Sequence, residues 1–193
     1  MIRFKIKNRI IRIRSPFIVD RLPDKYTYGL TNKLEDNYFV LFLDYDLVEY
    51  KVVLDDIKFL QTNYDIGTAL IRFNKNYEKQ NTFVGNFHVI FFTKFLYPDI
   101  VKLINLTRCD SQFKRGSKYQ QRCWVLRLGK KKSANNEITD KQYNFYKIIK
   151  AKTSKTASTG LIKFFSMLDD IDLTTEFIKQ DNLYNIDIIN YVT

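Results

Sequence analysis

Residues 38–45, YFVLFLDY, are apolar on both parities of a strand. A strand with one wet face alternates, so a run like this belongs to a central strand covered on at least one side. The run ends in Asp44 and Asp46, separated by Tyr45. The segments after it restrict the fold further. Val53, Ile57, Leu60 and Tyr64 recur at helical spacing within 52–64, with Asp55, Asp56 and Lys58 turned outward. Residues 67–73, GTALIRF, predict a second strand, and 87–92, FHVIFF, a third. Pro98 suits a first helical turn, and Ile100, Val101, Leu103 and Ile104 supply the apolar face of a second helix. Residues 122–129, RCWVLRLG, predict a fourth strand.

The order β-α-β-β-α-β predicts an α+β fold, an RRM-like or ferredoxin-like palm. Right-handed crossovers put its strands in the order 4-1-3-2, with the first and third antiparallel neighbours. Around this core, spanning 38–132, an N-terminal basic strand and connection occupy 1–37 and a C-terminal extension packs at 133–193. In the extension the pattern predicts a helical segment near 139–151, a Lys/Thr/Ser linker at 152–159, an apolar helix at 161–168 and a strand-like end at 184–192.

The 193 residues suit one domain or a domain with a modest appendage. The 32 Lys and Arg exceed the 21 Asp and Glu, for a formal net charge of +11. That excess favours a polyanionic partner, nucleic acid before an anionic membrane surface. No window approaches the length of a membrane span, and the basic N-terminus carries no secretory h-region. Cys109 and Cys123 form no metal pattern. They could pair, but in an intracellular-looking chain they read as reduced, with the cytoplasm as compartment, that of a host cell if the chain is viral.

Within MIRFKIKNRIIRIRS, Ile2, Phe4, Ile6 and Ile10 share one parity and Arg3, Lys5, Lys7 and Arg9 the other. The parity slips at Ile10 and Ile11, as at a bulge. The basic face is read both as edge protection and as a rail for phosphates. Further along, Lys114, Arg115, Lys118 and Arg122 precede the fourth strand, and Lys130, Lys131 and Lys132 come directly after it. They read as solvated surface or as a patch tracking a nucleic-acid backbone. Phe42, Tyr45 and Trp124 are core residues or stacking groups.

Residues two apart in a strand share a face, so Asp44 and Asp46 present paired carboxylates. Such a pair suits Mg²⁺ or Mn²⁺, or simply ends a strand in water. Antiparallel pairing brings the end of the first strand beside the start of the third, which carries His88, the only histidine. Just before it stands the glycine-containing turn Gly85-Asn86.

FLDYD and, later, GNFH resemble motifs I and II of the archaeo-eukaryotic primase and primase-polymerase superfamily. The resemblance covers residues 38–129. The wider pattern is similar to small proteins of archaeal viruses and plasmids. The primase resemblance implies an RRM-like palm in which Asp44 and Asp46 bind the catalytic metal and His88 contacts the phosphates of a nucleoside triphosphate. The implied reaction is nucleotidyl transfer on single-stranded DNA or a primer-template, in replication of a mobile element or virus. The third carboxylate of motif III has no counterpart in CWVLRLG, where Arg127 is the charged residue. Arg127, with Lys130, either grips a nucleotide phosphate or, as a structural ion pair, neutralises Asp44 or Asp46. That exchange leaves a second reading: a non-catalytic single-stranded DNA- or RNA-binding protein on the same palm. A rolling-circle relaxase needs more histidines, and a phosphate-loop NTPase needs a GxxxxGK[ST] motif, which the chain lacks.

Overall fold

The computed structural model describes residues 2–6, 9–13, 18–20, 28–34, 37–73, 84–119, 124–127, 131–132, 138–139 and 145–169. In chain order the elements are β1 (Ile2–Ile6), β2 (Arg9–Ile13), β3 (Ile18–Asp20), β4 (Tyr28–Thr31), β5 (Tyr38–Glu49), α1 (Tyr50–Tyr64), β6 (Ala69–Phe73), β7 (Val84–Leu96), α2 (Tyr97–Asn105), α3 (Ser111–Tyr119), β8 (Val125–Arg127), β9 (Lys131–Lys132), β10 (Ile138–Thr139), β11 (Phe145–Ile149) and α4 (Thr159–Asp169). The fold is α+β, built on a four-stranded antiparallel sheet in the order β11-β6-β7-β5. β5 and β6 both run antiparallel to β7, which lies between them. That is the split βαβ arrangement of a ferredoxin-like palm.

The first three strands therefore lie 1-3-2, as the pattern predicts. The fourth does not. Residues 125–127 pair with β4 in a separate sheet, β3-β4-β8. The remaining place in the main sheet goes to β11, on the far side of β6, where Ile149 faces Ala69 and Tyr146 faces Arg72. The region read as helical near 139–151 thus holds a strand, with partners drawn from the middle of the chain. The N-terminal slip at Ile10 and Ile11 also resolves differently. β1 and β2 are two antiparallel strands, with Ile2 opposite Ile13 and Arg3 opposite Arg12. The final strand-like piece lies outside the described residues.

β5 is covered on both faces, because its alternate residues enter two apolar layers. Phe39, Leu41, Leu43 and Tyr45 pack with Val53, Ile57 and Leu60 of α1 and with Ile100, Leu103 and Ile104 of α2. Val40 and Phe42 pack with Leu70, Ile90 and Phe92 and, from α4, with Leu161, Ile162 and Phe165. The sheet face opposite α1 and α2 is therefore roofed. The roof is held by residues 152–158, read as a linker. Ser158 N–H donates to Phe92 O at 2.7 Å and Lys94 N–H to Thr156 O at 3.2 Å, so this segment runs along β7.

Being last in the sheet, β5 needs its outer edge satisfied. Asn32, fully buried, does this at one end. Its carbonyl accepts from Val40 N–H at 2.9 Å, and its Nδ2 donates to Val40 O at 3.0 Å. Its N–H donates to Trp124 O at 3.0 Å, while its Oδ1 accepts from Trp124 N–H at 2.8 Å. One side chain thus fastens residue 124, at the start of the smaller sheet's β8, to the palm. Further along, Asp110 N–H donates to Asp44 O at 2.8 Å.

Candidate functional site

The register of the main sheet sets four polar side chains in one line. Asp44 on β5 faces His88 on β7, His88 faces Arg72 on β6, and Arg72 faces Tyr146 on β11. Directly opposed residues share a face, so the four form a row across all four strands. The neighbouring row, Phe42, Ile90, Leu70 and Ile148, belongs to the apolar layer under α4. Where that layer stops, the polar row begins.

His88 is 2% exposed and Arg72 7%, whereas the Asp44 side chain keeps 29% and Tyr146 44%. The middle of the row is enclosed and its ends reach solvent. His88 Nε2 lies 3.6 Å from Asp44 Oδ1. The Arg72 guanidinium carbon sits 5.7 Å from the ring centroid of Phe165, so α4 supplies the lid of the enclosed part.

Past Tyr45 the pairing of β5 with β7 skips. Tyr45 faces Phe87 and Val48 faces Gly85, so Asp46 and Leu47 together oppose Asn86. This is a β-bulge, and it breaks strict alternation between Tyr45 and Val48, so Asp46 falls within the irregularity. Leu47 takes φ 53°, a left-handed conformation that costs a branched side chain energy. Its N–H donates to Asn86 Oδ1 at 2.8 Å, which holds the bulge. Asp46 is exposed at its root.

The other face of the same strand carries a separate polar cluster. Tyr45 Oη donates to Asp56 Oδ2 at 2.9 Å, and Arg108 donates to the same carboxylate through N–H at 2.7 Å and Nε at 2.8 Å. Burial first, and then the Asp56 carboxylate, push the Tyr45 phenol well above its ordinary value. Asp56, expected on the outer side of α1, is thus buried, because Arg108 and Tyr45 satisfy it. Cys109, next along, is unbridged. Burial pushes its thiol up to about 11; Asp44 and Asp56 add to the rise, and Thr107 and Lys114 oppose it.

Among the residues proposed from sequence, Asp44 and His88 meet, and Asp46 stands one bulge away. Arg127 belongs to β8, which pairs with β4 in the smaller sheet and not with a strand of the main sheet. Lys114, Arg115 and Lys118 lie on α3 and not in a loop. Lys114 is half-buried, its ammonium donating to Thr107 O. Arg115 is exposed. Arg3, Lys5 and Arg9 fall in the β1–β2 pair, and Lys131 in the short β9–β10 pair. Lys7, Arg122, Lys130 and Cys123 lie outside the described residues. Phe42, Tyr45 and Trp124 are core residues. Asp110, the acid nearest the fourth predicted strand, caps α3 by accepting from Gln112 N–H at 2.8 Å and Phe113 N–H at 2.9 Å.

Arg72 and Tyr146 complete the row, and sequence reasoning missed both. A lone arginine in ALIRF is a usable signal, since an apolar strand tolerates a charge only at its end or in a site. Tyr146 carries none, because its strand reads as helix. Among the described residues, no group of three or more His, Cys, Asp or Glu is placed to hold a metal ion. Compared with family models, curated proteins and solved structures, the chain matches none.

Proposed function

We propose that this chain is a primase-polymerase-like palm that binds a nucleoside triphosphate, together with the divalent cation travelling with it, and acts on nucleic acid. The observation that carries the reading is the direct pairing of Asp44 with His88, 3.6 Å apart, at a solvent-reaching strand end. Arg72 on the far side of His88 adds a fixed cation to the line. The enclosed Arg72 guanidinium lends positive potential to the strand end in front of it, and the net charge of +11 suits the nucleic acid that would be template or primer.

The donors do not fit a resident metal held by protein alone, since no three-donor group exists among the described residues. They fit a cation that brings its own ligands. Mg²⁺ is commonly held by one or two carboxylates together with substrate phosphates. Asp44, part exposed, and Asp46, exposed, are those carboxylates. Bound there, the ion would offset charge on the phosphates.

The missing third carboxylate favours a second reading, in which nucleotide or single-stranded nucleic acid binds without nucleotidyl transfer. One experiment separates the two. Binding of Mn²⁺ and ATP is measured by calorimetry for the wild type and Asp44→Ala/Asp46→Ala, with primer extension on the same samples. Ion-dependent binding lost in the variant, with extension by the wild type, supports the transferase. Binding without extension supports the second reading. If neither protein binds nucleotide while both bind single-stranded DNA equally, the aspartates are ordinary strand-end residues and the palm reading fails.

A further inference from the structure

We infer that the outer edge of the main sheet is the track of a single-stranded nucleic acid, carried by Lys147, Lys150, Lys152 and Lys155. This rests on the proposed nucleic-acid partner and places that partner's path on the molecule. Between Asp140 and Asp169 the chain contains no Asp or Glu, and residues 146–155 read YKIIKAKTSK. The four lysines of that stretch are exposed. Asp65 reaches the segment, where Ser154 N–H and Oγ bind its carboxylate and Lys155 lies near it. Lys147 Nζ sits 5.3 Å from the ring centroid of Tyr50, and Lys155 Nζ 4.4 Å from that of Phe95. An aromatic face steadies an ammonium group without cancelling its charge. On the same flank α1 adds exposed Lys58, one turn before Gln61, whose Nε2 donates to Ile149 O at 3.1 Å.

Lysines on an edge strand also guard it against pairing with another chain. That role covers Lys147 on β11, but not Lys152 or Lys155, which lie beyond the strand's end. There the chain turns across the end of the sheet. Thr68 Oγ1 donates to Ala151 O at 3.3 Å, Thr153 Oγ1 to Asp65 O at 2.7 Å, and Lys94 N–H on β7 to Thr156 O at 3.2 Å. The cations therefore follow β11 and then bend past β6 to β7, two strand spacings or about 10 Å away. A duplex, stiff over about 150 base pairs, does not follow so tight a bend, whereas a single strand does. Ile148, Ile149 and Ala151, between the lysines, are half-buried in the fold, so the segment has little to insert into a bilayer. Ile149 faces Ala69, whereas Asp44 belongs to the row that passes through Arg72, so the bend lies at the opposite end of the sheet from Asp44.

The test measures binding of a short labelled oligo-dT by fluorescence anisotropy over a range of salt concentrations. The edge variant is Lys147→Gln/Lys150→Gln/Lys152→Gln/Lys155→Gln. Its control, with an equal change of charge, is Arg3→Gln/Lys5→Gln/Arg9→Gln/Arg12→Gln in the β1–β2 pair. Each phosphate contact of a single strand contributes about 0.7 to the slope of log affinity against log salt. The edge variant should lower that slope by about 2 to 3 and weaken binding at least about tenfold at low salt, and Lys152→Gln alone should lower it by about 0.7. The control should keep the wild-type slope, and the edge variant should bind ATP with Mn²⁺ as the wild type does. Equal loss in both fourfold variants, loss in neither, or loss of ATP binding along with oligo-dT overturns the track. Equally tight binding of the wild type to a duplex of the same length overturns the single-strand assignment. If the wild type binds ATP but no oligo-dT, the inference falls while the nucleotide reading stands, and binding to phosphatidylserine vesicles in its place makes the partner a membrane surface.

Discussion

Asp56 shows how one side chain joins distant parts of the chain. It accepts from Tyr45 on β5 and from Arg108 beyond α2, so three elements meet on one carboxylate. Asp56→Ala removes the acceptor and leaves a buried phenol without its partner, while Arg108, half-exposed, returns to water. The expected cost is about 3 kcal/mol by urea denaturation, against about 1 kcal/mol for Tyr45→Phe, which keeps the Arg108 contact. Asn32→Ala orphans two main-chain groups, Val40 O and Trp124 N–H, and should likewise cost about 3 kcal/mol. Cys109, buried and with its thiol raised to about 11, should resist alkylation at pH 8 in the native protein and react after denaturation, as peptide mass mapping would report. Neither Asp56 nor Asn32 was legible in the sequence. Helical spacing puts Asp56 beside outward-facing charges, and only the chain's return at Arg108, 52 residues on, buries it. Asp44 and His88 were legible, because the split βαβ order itself makes their strands neighbours.

At the scale of elements, the parts read correctly are those whose packing face repeats locally: the run of β5, the stripe of α1, the strands β6 and β7, and the helices α2 and α4. The fourth strand was misplaced because pairing is decided between strands and not within them. FYKII and VLR are both short, and nothing local says which one joins β6. The returning segment is held by Asp65, the left-handed residue closing α1, at φ 51°. Its carboxylate accepts from Ser154 N–H and Oγ, and its carbonyl accepts from Thr153 Oγ1. Burial alone would raise the Asp65 carboxyl; the Ser154 and Thr153 hydrogen bonds and the Lys155 charge outweigh it and hold it below the ordinary range. A lowered carboxyl contributes stability above its unfolded value and loses it as pH falls toward the folded one. Asp65→Asn, which tolerates the left-handed backbone, should therefore destabilise at pH 7, and its difference from wild type should shrink below about pH 4. For α4, Phe165→Ala opens the layer over Arg72 and Phe92 and should cost about 3 kcal/mol in a thermal or urea melt.

Across the whole molecule, the two apolar layers leave one end of the main sheet to a line of unlike polar groups, and the bulge at Leu47 turns β5 away just after it. No helix among the described residues is long and apolar enough to cross a membrane. The excess positive charge belongs to the chain as a whole, so on the proposed reading it would set nucleic-acid affinity and its salt dependence more than the choice of nucleotide. The proposed nucleotide site is the strand end that carries Asp44. The most direct measurement is a calorimetric titration of ATP into the wild-type protein, with Mn²⁺ and then with chelator. A palm that takes its nucleotide through a shared cation should show saturable binding at one site that weakens at least about tenfold when the ion is removed. An absence of binding under both conditions, in a protein whose melt shows it folded, would contradict it.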